Sequence, residues 1–111
     1  MRWRHGEAHA VHDWDALAWL PEAAIAGSAA GIFASHGRTA LAPLESSEAF
    51  LHAYESERGA RFSPYETEIA WAASIWEALH NANDELIYNR PKLSYEQVKA
   101  QRVERLARAG A

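Results

Sequence analysis

The pattern of apolar and polar positions changes from strand-like to helical about twenty residues into the chain. Two short runs, residues 2–4 and 8–14, flank His5–Glu7, and the glycine inside this tripeptide is a turn signal. From Pro21 onward alanine dominates the pattern, and proline suits the first turn of a helix. The sequence therefore predicts a mainly α protein in which a short β-hairpin, spanning residues 1–15, precedes the helices.

Four helices are predicted in the second region from their start and stop signals. Gly27 and Gly31 leave two positions without side chains on one face of the first helix, so another backbone is expected to approach closely there. Ser46 or Ser47 is expected to cap the second helix, and Ser63–Glu66 predicts a capping box at the start of the third. The predicted helices cover residues 21–34, 46–58, 64–88 and 94–109.

The third and fourth predicted helices differ in character. The third is the longest, and its first half, with Trp71, Ile75 and Trp76, is apolar nearly all round, so it is expected to be buried centrally. The fourth begins with a weaker capping box formed by Ser94 and Gln97. Its basic residues are expected to form a solvated stripe. They are Lys99, Arg102, Arg105 and Arg108.

The length and composition of the chain indicate one compact domain. A chain of 111 residues is long enough for one core but hardly for two, so the hairpin and the helical region, residues 21–109, are assigned to a single domain, 1–111. Hydrophobic residues make up 49% and charged residues 23%, which is ordinary globular usage and argues against a disordered chain. The lack of cysteine excludes disulfides, thiolate nucleophiles and cysteine-ligated metals.

Charge and hydropathy limit the kinds of partner and the cellular location that can be expected. A net charge of −4 supplies no basic surface of the kind that neutralises phosphates, so nucleic acid is not expected as a partner. The most apolar stretch, residues 16–34, is interrupted by Pro21 and Glu22 and is otherwise weakly hydrophobic, so no membrane span is expected. The first residues lack the apolar run of a secretory signal, and we expect a cytoplasmic location.

The densest cluster of polar side chains lies at residues 5–15, and the chemistry that it predicts depends on the secondary structure. A helix would bring four of them to one face, where they would form a site for zinc or another divalent metal. These are His5, His9, His12 and Asp13. A strand would instead place Asp13 and Asp15 on one side, about 6 to 7 Å apart, and two carboxylates suit Mg²⁺ better than zinc. The strand is favoured because Gly6 and its neighbours weaken a helix. In a third interpretation the histidines are ordinary surface residues and the aspartates cap the first helix.

The segment Val11–Asp15, followed by Leu17–Glu22, resembles the aspartate motif of the aminoglycoside phosphotransferase and choline kinase-like family. In that family a strand ends in isoleucine or valine, one further residue, aspartate, an aromatic residue and an acidic residue. The resemblance continues through Ala42–Ser47 and Trp71–Ser74 and covers most of the chain. It implies a fold like the C-terminal lobe of a protein kinase.

The resemblance also implies the roles of two carboxylates. The aspartate at the position of Asp13 binds the Mg²⁺ that bridges the phosphates of ATP, as the corresponding aspartate does in protein kinases. Asp15 would be an auxiliary ligand. The implied cofactors are therefore Mg²⁺ and ATP, and the implied partner is a small molecule that accepts the phosphoryl group.

The chain departs from the family pattern in its catalytic loop. Family members carry, upstream of the hairpin, a His-Gly-Asp loop followed by an asparagine; the aspartate positions the acceptor hydroxyl, and the asparagine binds the metal. Met1–Arg4 stands where the strand after that asparagine is expected, and His5–Glu7 only imitates the loop. The nucleotide-covering N-terminal lobe is missing too. Phosphoryl transfer depends on the positioning of ATP, the metal ion and the acceptor. We therefore expect the chain to be the C-terminal lobe, or a truncated form, of such an enzyme and to be inactive alone.

Two further interpretations stay open. The chain would also suit a non-catalytic helical module that interacts with other proteins or forms a homo-oligomer through an apolar surface, to which some of its tryptophans contribute. An acidic group on the third predicted helix would suit a cationic acceptor, although a solvated helix face is the commoner arrangement. This group consists of Glu77, His80, Asp84 and Glu85.

Overall fold

Five α-helices make up most of the described part of the chain, and two short strands precede them. The structure, a computed structural model, describes residues 2–10, 19–33 and 40–111. The elements are β1 (Arg2–Arg4), β2 (Glu7–Ala10), α1 (Glu22–Ile32), α2 (Leu44–Arg58), α3 (Pro64–Ala73), α4 (Trp76–Ile87) and α5 (Leu93–Arg108). The prediction of a mainly α protein is confirmed. None of the helices in the described ranges is both long and apolar enough to cross a membrane.

The two strands pair in antiparallel orientation through a two-residue turn. His5 and Gly6 occupy the turn with φ angles of 53° and 81°, and two consecutive positive φ angles are typical of the turn that matches the twist of a hairpin. Arg4 pairs with Glu7 at the end of the ladder. The second predicted strand ran to residue 14, and its part beyond Ala10 lies outside the described residues.

The close approach predicted for the first helix is confirmed. A Cβ atom added to Gly27 would overlap the backbone carbonyl of Ala70, and one added to Gly31 would overlap the carbonyl of Ser74. Helices α1 and α3 are therefore in backbone contact, and glycine is required at both positions because any side chain would separate the helices. The largest core cluster surrounds this contact and contains Ala23, Ala26, Ala30, Leu51, Phe62, Ala70 and Trp71.

The prediction of one continuous helix over residues 64–88 is wrong. The helix ends at Ala73 and a new one begins at Trp76, with Ser74 and Ile75 between them. The hydroxyl of Ser74 donates a hydrogen bond to the carbonyl of Trp71 at 2.7 Å, and such bonds within one turn bend helices. The break leaves Trp76 67% exposed, contrary to the expected central burial, whereas Ile75 is buried beside Leu41.

One predicted helix cap is confirmed and two are wrong. Ser63 accepts a hydrogen bond from the amide of Glu66, whose carboxylate accepts one from the amide of Ser63, so the capping box is complete. Helix α2 begins earlier than predicted, at Leu44, and Ser47 lies buried inside it. Ser94 likewise lies inside α5. Ser47 bonds to distant parts of the chain, and the amide of Ser94 bonds to Glu85 in the preceding helix. Local sequence patterns do not reveal either partner.

Candidate functional site

The predicted metal ligands Asp13 and Asp15 lie outside the described residues. The helical arrangement of the histidine cluster is wrong for its described part, because His5 lies in the hairpin turn and His9 lies in β2. Within residues 2–10, 19–33 and 40–111, no three histidine, aspartate or glutamate side chains are grouped so as to hold a metal ion.

A groove with a volume of about 930 Å³ lies between α2 and α3. This volume is at the upper end of the range typical of small-molecule sites. The floor of the groove is apolar and buried, and it consists of Leu51, Phe62, Ala70 and Trp71. The polar side chains along its rim include Glu48, His52, Glu55 and Arg61. We call this feature the α2–α3 groove.

Spacing along α2 explains why these side chains reach the same groove. Glu48, Leu51, His52 and Glu55 follow one another at intervals of three, one and three residues, which places them on one face of a helix. The same spacing was visible in the sequence, but only the position of α3 shows that this face borders a cavity. Sequence reasoning therefore missed the groove.

Two carboxylates of the groove are oriented by the chain itself. Oε1 of Glu55 accepts a hydrogen bond from the amide of Phe62 at 2.7 Å, which ties α2 to the loop at the end of the groove. Oε1 of Glu48 lies 3.5 Å from Nη1 of Arg108. Each of the two carboxylates is therefore engaged by a group of the chain at one oxygen.

The aromatic rings of the groove floor already contact guanidinium groups. Arg108 lies 4.6 Å from the centre of the Trp71 ring, and Arg58 lies 4.8 Å from the centre of the Phe62 ring. The Phe62 ring also stacks on Tyr54, with 5.9 Å between the ring centres. These cation–π contacts hold the floor in place.

Arg105 is completely buried, and its prediction as part of a solvated stripe is wrong. Its guanidinium donates to Oγ of Ser74 at 2.8 Å, to the carbonyl of Ala42 at 2.6 Å and to Oγ of Ser47 at 3.0 Å. Its Nε donates to Oε1 of Gln101 at 3.0 Å. These four acceptors come from four parts of the chain, and together they satisfy a cation that burial would otherwise make costly.

The acceptors of Arg105 are all neutral oxygens. Their hydrogen bonds replace the water that the guanidinium loses on burial. Burial, together with the nearby charge of Arg108, lowers the pKa of Arg105 to about 10. The side chain therefore stays charged at neutral pH. The stability of the fold therefore depends on how these acceptors are placed, because the buried charge of Arg105 has no water to replace them.

The acidic group of the third predicted helix lies on α4, where His80 and Asp84 pair at the surface and Glu85 turns to α5. Nε2 of His80 lies 3.7 Å from Oδ2 of Asp84, and both side chains are substantially exposed. Glu85 instead faces the start of α5, where its carboxylate accepts hydrogen bonds from the amides of Ser94 and Tyr95. The role of Glu85 in the structure is therefore to cap α5.

Comparison of the chain with protein-family models, with curated proteins and with solved structures gives no match.

Proposed function

We propose that the chain is the C-terminal lobe, or a truncated form, of an ATP- and Mg²⁺-dependent small-molecule phosphotransferase of the aminoglycoside phosphotransferase and choline kinase-like type. The observation that carries the proposal is the Val11–Asp15 motif, which follows β2 directly and precedes a helical region. In protein kinases the metal-binding aspartate likewise belongs to a short motif beyond the catalytic loop. In this proposal the antiparallel strands before the motif and the five described helices after it correspond to the C-terminal lobe of a kinase-like fold.

Asp13 would hold the Mg²⁺ in this proposal, and Asp15 would assist it. The donor chemistry fits, because carboxylate oxygens are the protein ligands that Mg²⁺ prefers. When bound, the ion would neutralise charge on the phosphates of ATP. The 111 residues contain no catalytic loop of the family type, so the acceptor hydroxyl would have to be positioned by groups from elsewhere, and the chain alone would be inactive.

The proposed acceptor is a small molecule. We assign the acceptor to the α2–α3 groove, because the groove has an apolar floor, a polar rim and a volume suited to a small molecule. The proposal includes a cytoplasmic location, where ATP and Mg²⁺ are both supplied.

Nucleotide binding tests the proposal on the protein purified from its own cells. The intact mass of the purified protein is measured first. If the mass exceeds 12.4 kDa, phosphoryl transfer to amino sugars and to choline is assayed on the longer protein. Millimolar Mg²⁺ with ATP is expected to raise the melting temperature, and Asp13→Asn is expected to abolish the rise. Asp84→Asn, at a half-exposed position on α4, is the control and should keep the rise in melting temperature. No rise in the wild-type protein, or an equal rise in Asp13→Asn, would rule the proposal out.

A second candidate function is self-association through α4. Four large apolar side chains of this helix are exposed, and their spacing places them on one face. This α4 face consists of Trp76, Leu79, Leu86 and Ile87. We propose a second copy of the chain as its partner, because the face carries no formal charge and two copies can meet there without repulsion between like charges.

The mass in solution tests self-association. Light scattering at high micromolar concentration is expected to give a dimer, and Trp76→Glu is expected to give a monomer. Val103→Glu introduces the same charge at an exposed apolar position of α5, and it should leave the dimer intact. A monomeric wild-type protein would contradict this candidate, as would a dimer that survives Trp76→Glu.

A further inference from the structure

The division of residues 64–87 into two helices occurs without a proline or a glycine at the break. Sharp bends in helices are generally found at proline, at glycine–serine pairs, at bulges, or where a side chain enters the hydrogen-bond ladder. After Pro64 the segment contains neither proline nor glycine, and its alanine-rich middle favours a helix. A side chain that enters the hydrogen-bond ladder is therefore the cause to consider, and Ser74 supplies one at the break.

Ser74 is the residue at which the helical pattern of backbone hydrogen bonds is interrupted. Its amide still donates to the carbonyl of Ala70 at 3.0 Å, so the helical pattern reaches this position. Its hydroxyl donates to the carbonyl of Trp71 at 2.7 Å and accepts from Nη1 of Arg105 at 2.8 Å. The following residue, Ile75, has φ −101° and ψ −9°, which departs from helical geometry.

Arg105 cannot move to follow Ser74, because its other bonds fix it. Its Nη2 atom bonds to the carbonyl of Ala42 and to Oγ of Ser47, and its Nε bonds to Gln101 one turn earlier in α5. The side chain is fully buried. The hydroxyl of Ser74 lies between this guanidinium and the carbonyl of Trp71 and bonds to both.

We propose that Arg105 is a conformational control element that holds residues 64–87 in a two-helix form through Ser74. When the bond between Arg105 and Ser74 is removed, α3 and α4 join into one continuous helix, which is the form that the local sequence favours. The direction of the α4 face then changes relative to α1. This inference is independent of the proposed phosphotransferase function.

Backbone chemical shifts and amide hydrogen exchange of residues 74–79 test the inference. Ser74→Ala removes the hydroxyl but leaves the other bonds of Arg105 in place. It is expected to shift the Ile75 carbon resonances to helical values and to slow exchange of the amides of residues 75–78 about tenfold, as one added hydrogen bond would. Arg105→Met leaves the bond from Ser74 to Trp71 possible and removes only the guanidinium, and it should have the same effect. Wild-type shifts at Ile75 in Arg105→Met, with helical shifts in Ser74→Ala, would mean that the bond to Trp71 alone sets the break and that the inference is wrong.

Arg102→Met is the matched control, because Arg102 lies on the exposed side of the same helix, and it should leave both readouts unchanged. The main competing cause of the break is burial of Ile75 against Leu41, Ala78 and Val98. If folded Ser74→Ala keeps the wild-type shifts at Ile75, that packing sets the break and the inference is wrong.

Discussion

Oγ of Ser47 lies 3.0 Å from Nη2 of Arg105, and its own proton is donated to the carbonyl of Ala30 at 2.9 Å. One hydroxyl thus connects the first turn of α2 to α1 and to α5. The hydroxyl is completely buried, so neither partner can exchange it for water. This relationship explains why a serine occupies a core position that would otherwise suit alanine.

Ser47→Ala is expected to lower the free energy of unfolding by about 1–3 kcal/mol, because it leaves a carbonyl oxygen and part of a buried cation without a partner. Urea denaturation followed by circular dichroism measures the loss. Ser46→Ala is the control, because Ser46 is its half-buried neighbour in the same helix, and a change within about 0.5 kcal/mol is expected. Equal effects of the two substitutions would show that the buried bond contributes nothing specific.

Gly27→Ala is expected to destabilise the protein by about 1–3 kcal/mol or more, although alanine is normally the better helix former. The new methyl group would overlap the backbone carbonyl of Ala70 and push α1 away from α3. Thermal unfolding measures the effect. Ser28→Ala, at the next position and only half-buried, should be neutral or slightly stabilising. A stabilised Gly27→Ala protein would contradict the close contact between the two helices.

The stability contributed by Glu85 should depend on pH. Burial opposes its ionisation, but the hydrogen bonds from the amides of Tyr95 and Ser94 outweigh that effect, so the pKa of Glu85 lies below its ordinary value of 4.5. A carboxyl whose pKa is lower in the folded state stabilises the fold above the unfolded pKa. That stability is lost as the pH falls through the folded pKa.

Glu85→Gln should therefore cost about 1 kcal/mol at pH 7, an amount reduced by the partial exposure of the site. The difference from the wild-type protein should shrink as the pH is lowered from 4.5. Urea titrations at several pH values give both quantities. Glu77→Gln, in the first turn of the same helix, serves as the control. A difference that stays constant between pH 7 and pH 3 would argue against the capping role.

The hydroxyl of Tyr54 should ionise at a higher pH than that of an ordinary tyrosine. Its hydroxyl donates to Oε1 of Glu22 at 2.9 Å, and this bond, with burial and the glutamate charge, raises the pKa of Tyr54 above 10. Glu22→Gln is expected to bring that pKa back towards 10, because the amide is uncharged. Ultraviolet absorbance titration measures it, with Tyr54→Phe identifying the component.

The same shift predicts a loss of stability in alkaline solution. Because the folded pKa of Tyr54 is the higher one, the folded state keeps the proton that the unfolded chain loses near pH 10, and the free energy of unfolding falls as the pH rises through this range. Tyr54→Phe should lack this part of the decrease. An unchanged alkaline profile in Tyr54→Phe would mean that the bond to Glu22 does not persist in solution.

Features that depend on neighbouring residues could be predicted from the sequence. The helical pattern from Pro21 onward predicted the mainly α fold. Ser63–Glu66 predicted a helix start through groups three residues apart, and Gly27 with Gly31 predicted the close contact of α1. The Val11–Asp15 motif suggested a function for the same reason, because its meaning lies in five consecutive residues.

Features that depend on partners far apart in the chain required the tertiary structure. Arg105 resembles its basic neighbours in the sequence, yet its acceptors lie 31 residues away at Ser74, 58 at Ser47 and 63 at Ala42. The same partnership accompanies the break between α3 and α4. The α2–α3 groove belongs to this class too, because a polar face of α2 becomes the wall of a cavity only when another helix packs beside it.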